Sequence, residues 1–136
     1  MSSKIPFVDL YAQYQFLKDE IDGVISDVIE NSSFVRGPYV DKFENMFASV
    51  MGLRHCISCA NGTDSLYIAL IALGVKPGDE VIAPAHSWIS TTETITQAGA
   101  TVKFCDTDDE SFTIDTSKIE ENISPNTVGI IPVHLY

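Results

Sequence analysis

The chain has 136 residues, 45% apolar and 20% charged, the makeup of one globular domain with a core; this excludes disorder, a coiled coil and a collagen-like repeat. A domain of this size buries roughly two-thirds of its unfolded surface, enough to fold without disulfide staples. Nineteen acidic against eight basic residues give a net charge of −11, which argues against nucleic acid and anionic membrane as partners, since both need cationic surface.

In chain order, Tyr14, Leu17, Ile21, Val24, Ile25 and Val28 recur at helical spacing and predict an amphipathic helix over residues 10–30, ending near Asn31. The start Met1-Ser-Ser-Lys-Ile-Pro-Phe lacks the basic n-region and apolar core of a signal peptide, so a cytoplasmic protein is expected. Gly37-Pro38 punctuates a loop at residues 34–38, and Tyr39 to Met51 reads as a second helix stopped by Gly52. Beyond this helical segment, residues 1–54, the pattern over 55–136 changes to alternating strands and helices. Strands are expected at Cys56–Ala60, Glu80–Pro84, Thr101–Cys105 and Val128–Val133, and helices at Ser65–Leu73, Ser90–Gln97 and Ile114–Ile123. That alternation implies an α/β fold, three layers with a mostly parallel sheet and helices on both faces. The helix at 65–73 is apolar nearly all round, which predicts burial. The stretch Leu66 to Val75 is about half of what spans a bilayer.

Ligands of open α/β sheets bind beyond the carboxyl ends of the strands. Asn61-Gly62-Thr63-Asp64-Ser65 stands between an apolar run and a helix. Gly62 lets backbone approach a ligand, and the amides of Thr63, Asp64 and Ser65 at a helix N-terminus suit a phosphate. A plain helix cap by Thr63 or Asp64 is the structural alternative. Trp88, the single tryptophan, follows the strand ending at Pro84, where it either stacks on a flat cofactor ring or plugs the sheet edge. Asp106 and Asp108 could hold a divalent metal with a nucleotide-sugar diphosphate, or belong to a solvated acidic loop. Cys56 and Cys59 lack a second ligand pair for zinc, and three cysteines, an odd number, fit a reducing compartment; buried apolar thiols are expected. His134 and Tyr136, at the end of the last strand, could approach the same cleft, although a core histidine is the commoner case.

In order, Ile5-Pro-Phe-Val-Asp-Leu, Arg36-Gly-Pro-Tyr-Val-Asp-Lys-Phe-Glu, Asn61-Gly-Thr-Asp-Ser-Leu, Lys76-Pro-Gly-Asp-Glu-Val-Ile, Gly99-Ala-Thr-Val-Lys-Phe-Cys-Asp-Thr-Asp and Ile131-Pro-Val-His-Leu-Tyr resemble the DegT/DnrJ/StrS-type sugar aminotransferases, from Ile5 to Tyr136 without a gap. The resemblance implies a pyridoxal-phosphate enzyme of fold type I, with residues 55–136 forming the first βαβ units of its cofactor-binding large domain. It places the phosphate contacts on Gly62, Thr63 and Asp64 and the ring-stacking contact on Trp88. It implies a nucleotide-linked keto-sugar as substrate, glutamate as amino donor, a homodimer and a role in polysaccharide biosynthesis. The family's catalytic lysine and the carboxylate facing the pyridine nitrogen lie beyond the equivalent of Tyr136. The chain is therefore expected to be the N-terminal portion of such an enzyme, inactive alone and with no catalytic residue to assign. Two other readings are a non-catalytic binding or dimerisation module and a metal-dependent nucleotide-sugar enzyme using Asp106 and Asp108.

Overall fold

A computed structural model describes residues 5–135, which leaves Lys4 and the expected role of Tyr136 outside the described residues. The chain divides after Ser58 into two compact units.

The first unit holds helices α1 (Leu10–Glu30) and α2 (Pro38–Val50), as the periodicity predicts. Asp9 caps α1 by accepting the Ala12 amide at 2.8 Å, and Pro38 opens α2, where its fixed φ suits the first turn. The Glu44 carboxylate of α2 accepts the amide and hydroxyl of Ser58, at 2.8 and 2.5 Å. These bonds, with the Arg36 guanidinium nearby, hold Glu44 below the usual carboxylate range.

The second unit contains α3 (Gly62–Ala72), β1 (Glu80–Pro84), α4 (Ile89–Gln97), β2 (Thr101–Cys105) and β3 (Thr127–Ile130). The strands form one parallel sheet in the order β2-β1-β3, with Val81 opposite Val102 and, past a register shift, Gly129. Central β1 is buried on both faces. Val81 and Ala83 pack with Leu70 of α3 and with Ile95, Ala98 and Ala100, while Ile82 packs with Cys105 and Ile114 on the other side. Burying each Val, Leu or Ile side chain among these contributes about 1.5–3 kcal/mol. Gly99 closes α4 at φ +86°, and a Cβ there would stand 2.8 Å from Pro77 Cγ, so both conformation and space demand glycine.

Four expectations fail here. Residues 56–60 form no strand; the Ser58 amide, which a ladder would use, is donated to Glu44. The expected helix at 114–123 is two 3₁₀ turns, Thr116–Lys118 and Glu120–Asn122. Asp115 starts the first by accepting the Ser117 amide at 3.0 Å. Ile123 is already extended, and Pro125 bars Ser124 from helical backbone. The third layer in this chain is thus 3₁₀ turns with Ile114 and Ile119, whereas α3 and α4 both pack on the opposite face. The last strand ends at Ile130, which leaves His134 off the sheet and exposed rather than in the core. Apolar α3 buries only Leu70; Ile68 is 53% and Leu73 82% exposed.

Candidate cofactor-phosphate and ring site

Asn61 ends the segment before α3 in extended conformation, and its side-chain carbonyl accepts the Asp64 amide at 2.9 Å. The Ser65 amide bonds the Asn61 carbonyl at 3.1 Å, and the Ser65 hydroxyl donates to the Gly62 carbonyl at 2.7 Å. This corrects the expected donor set: Asp64 and Ser65 spend their amides on the helix cap. The amides of Gly62 and Thr63 take no partner among the described residues. Asn61, not Thr63 or Asp64, is the cap, and the Asp64 carboxylate accepts from Asn61 Nδ2 at 3.2 Å. Gly62 sits at ordinary negative φ, and a Cβ built on it meets no heavy atom within 4 Å. The chain itself therefore places no steric demand for glycine there.

Trp88 is the residue immediately before α4, with φ −65° and ψ 144°. Its side chain makes no capping bond and is 75% exposed, so it plugs nothing. Leaving an indole this open buries little of its apolar surface, whereas a flat ring laid on it would cover that surface. The Thr63 hydroxyl donates to Ser90 Oγ at 2.8 Å and so joins the first turn of α3 to the first turn of α4, two residues after Trp88. Ser87 and Thr91 share a hydroxyl bond at 2.8 Å, and buried Thr94 donates to the Ser90 carbonyl at 2.9 Å. Asn61 and this hydroxyl cluster escaped the sequence reading. Asn three residues before Asp, and the run Ser90-Thr91-Thr92 at a helix start, were the available signals.

The donor set suits a phosphate monoester joined to an aromatic ring. Two open amides at a helix N-terminus offer hydrogen bonds and a favourable dipole, and an exposed aromatic plane stands on the adjoining helix start. No lysine occurs in 58–65 or 84–90, so these segments offer binding contacts and no amine.

The other candidates lie differently. A shallow cavity of about 690 Å³ is lined by His86, Thr107, Asp109, Glu110, Ser111 and Phe112. Asp106 accepts from Lys118 Nζ at 3.0 Å and Asp108 from the Ser111 amide at 2.7 Å. Those bonds hold both carboxyls below their ordinary range. Among the described residues no group of three His, Cys, Asp or Glu could hold a metal ion. Cys59 is exposed and Cys56 half-buried, against the expectation of two buried thiols; Cys105 is buried. An apolar groove of about 420 Å³ runs between α3 and β3, lined by Leu66, Leu70, Leu73 and Ile130 among others, and no polar groups of the site above reach it. No helix among the described residues is long and apolar enough to cross a membrane.

The chain is 43% identical, over 97% of its length and 37% of the relative's, to a UDP-2-acetamido-2-deoxy-3-oxo-D-glucuronate aminotransferase of Pseudomonas aeruginosa. It is 37% identical to a 3-oxo-glucose-6-phosphate:glutamate aminotransferase of Bacillus subtilis, over 98% of this chain and 31% of that one. The crystal structure of ntda from Bacillus subtilis, solved with bound cofactor PMP, superposes with a TM-score of 0.93 at 36% identity, covering 100% of this chain and 32% of that one. The chain thus spans about a third of the length of the relatives it matches. With residues 15–136 matching its sequence model, the chain belongs to the DegT/DnrJ/EryC1/StrS aminotransferase family.

Proposed function

We propose that this chain carries the phosphate and ring contacts for pyridoxal 5′-phosphate in an aminotransferase that acts on a nucleotide-linked keto-sugar. The observation that carries the reading is the pair of unpartnered amides on Gly62 and Thr63 at the start of α3, tied by a side-chain bond to the helix start that presents Trp88. Membership of the family and the likeness to a PMP-bound structure support the cofactor. The relatives' names support a keto-sugar acceptor, a nucleotide handle and glutamate as donor.

When bound, the cofactor supplies an electron sink for moving an amino group. The residues present here bind and orient it. Gly62 and Thr63 donate to the phosphate, the α3 dipole favours its charge, and Trp88 covers one face of the ring. Asp64 serves by closing the first turn, donating its amide to Asn61 Oδ1 rather than to the phosphate. With the boundary after Ser58 rather than at the expected 54, the first unit is the helical segment and the second the first βαβ units of the large domain. The homodimer, the cytoplasmic location and the role in polysaccharide biosynthesis belong to the same proposal.

Replacing Trp88 by Ala tests the ring contact. Loss of one stacked aromatic plane costs about 1 kcal/mol, a fivefold weaker affinity for pyridoxal 5′-phosphate by equilibrium dialysis. The side chain is mostly exposed, so stability stays within about 0.5 kcal/mol of the parent. Unchanged affinity would remove Trp88 from the site.

A further inference from the structure

The Thr63–Ser90 bond does more than link two helices. Its partners are 27 residues apart in sequence and partly buried, and Thr63 is also one of the two residues whose amide remains open for a ligand. Ser90 is held from behind as well: its carbonyl accepts from Thr94, a fully buried side chain in the middle of α4. On its other side the Trp88 carbonyl accepts the Thr91 amide at 3.0 Å, which fixes the turn carrying the indole. Thr63, Ser90 and the Trp88 backbone are thus joined by one short chain of bonds, so a shift of the α3 start relative to the turn that carries the indole strains the Thr63–Ser90 link.

We propose that Ser90 is a positioning residue for the phosphate and ring site: by accepting from the Thr63 hydroxyl it fixes the two open amides of α3 at a set distance from Trp88, so that one ligand meets both. The inference rests on the cofactor reading above. Preorganised donors lose much of their value when displaced by about an ångström, and one hydrogen bond between helix starts is the direct restraint here. In this proposal Ser90 acts through Thr63 and not by contact with the ligand.

The test uses pyridoxine 5′-phosphate and pyridoxine, which lack the aldehyde and cannot attach to surface lysines. Equilibrium dialysis of the parent chain, Ser90→Ala, Thr63→Val, the double variant and Ser90→Thr gives five affinities for each probe. The parent should prefer the phosphorylated probe. Either single variant should weaken that probe about three- to tenfold, the yield of one hydrogen bond, and leave pyridoxine unchanged. The double variant should match the singles, because the bond is lost only once, and Ser90→Thr should restore the parent affinity. Thermal melting verifies that each variant is folded, and Thr63→Val carries the test if Ser90→Ala does not fold. A parent without preference for phosphate refutes the cofactor reading and the proposal with it. A preference that survives in Ser90→Ala or Thr63→Val, or additive losses in the double variant, overturns the positioning role while leaving the cofactor reading standing.

Discussion

Gly62→Ala separates stability from binding. Gly62 is the first residue of α3, has negative φ, and would carry a Cβ with no heavy atom within 4 Å. A methyl group there meets no clash and restricts the unfolded chain, so stability should rise by about 0.4–1 kcal/mol. For a domain of this size that is an increase of roughly 2–5 °C in Tm. Cβ atoms of a helix lean toward its N-terminus, so the added methyl enters the space in front of the open amides, where a phosphate oxygen would lie. Moving that oxygen off one amide removes a charge-assisted hydrogen bond worth about 1.5–3 kcal/mol, a ten- to hundredfold loss of affinity for pyridoxine 5′-phosphate. Calorimetric melting and equilibrium dialysis on the same preparation read both effects. A variant that melts higher and binds the phosphate as well as the parent would refute the placement of the ligand at Gly62. A variant that melts lower would refute the reading of the local backbone.

Ile82→Ala, in the buried centre of β1, should cost about 2–5 kcal/mol in urea unfolding, whereas Phe104→Ala on exposed β2 surface should cost less than about 1 kcal/mol; equal costs would contradict the assigned core. Burial, then the carboxylates of Asp115 and Asp106, push the Cys105 thiol up, so mass spectrometry after brief alkylation should find Cys59 labelled in the native state and Cys105 only after unfolding. Asp106 is depressed first by its bond from Lys118, and its contribution to stability is present above the ordinary carboxylate pKa of about 4 and lost as pH falls through its folded value. Lys118→Met should therefore move acid unfolding, followed by circular dichroism, to higher pH; an unmoved transition would mean that the pair contributes nothing.

Most of the second unit was legible because its elements combine period with punctuation. Glu80–Pro84 and Thr101–Cys105 are short apolar runs bounded by Pro-Gly-Asp and Gly-Ala, and both are strands with the expected ends. α1 and α2 followed from 3.6-residue spacing, α2 with Pro at its start. The failures have physical causes of their own. Cys56–Ala60 has strand composition, but a strand exists only where another offers its edge, which no local pattern encodes. The 114–123 segment holds apolar residues at helical spacing, yet Asp115 and Ser117 satisfy each other locally and Pro125 cuts the run short, which favours single turns. At the site, Gly62 and Trp88 were visible as unusual residues at element ends. Which amides stay open was not visible, because it depends on Asn61 folding back onto Asp64.

In parallel α/β sheets a strand normally delivers the residues of a phosphate-binding turn, and the sheet fixes where the following helix begins. Here the segment before α3 is not a strand, so the sheet does not set that position directly. What holds the start of α3 within the second unit is Tyr67 and Leu70 packed on the cluster under β1, one and two turns further along, and the Thr63 hydroxyl on Ser90 at the first turn. Tyr67 and Leu70 fix the body of the helix, and Thr63 is the restraint on its first turn. Trp88, by contrast, follows β1 directly and inherits its position from the most buried strand of the chain. The two halves of the site are therefore held differently, the ring contact by the chain leaving β1 and the phosphate contact by helix packing plus one side-chain bond at the first turn. Loosening that bond should show first as lost phosphate recognition, before any loss of fold.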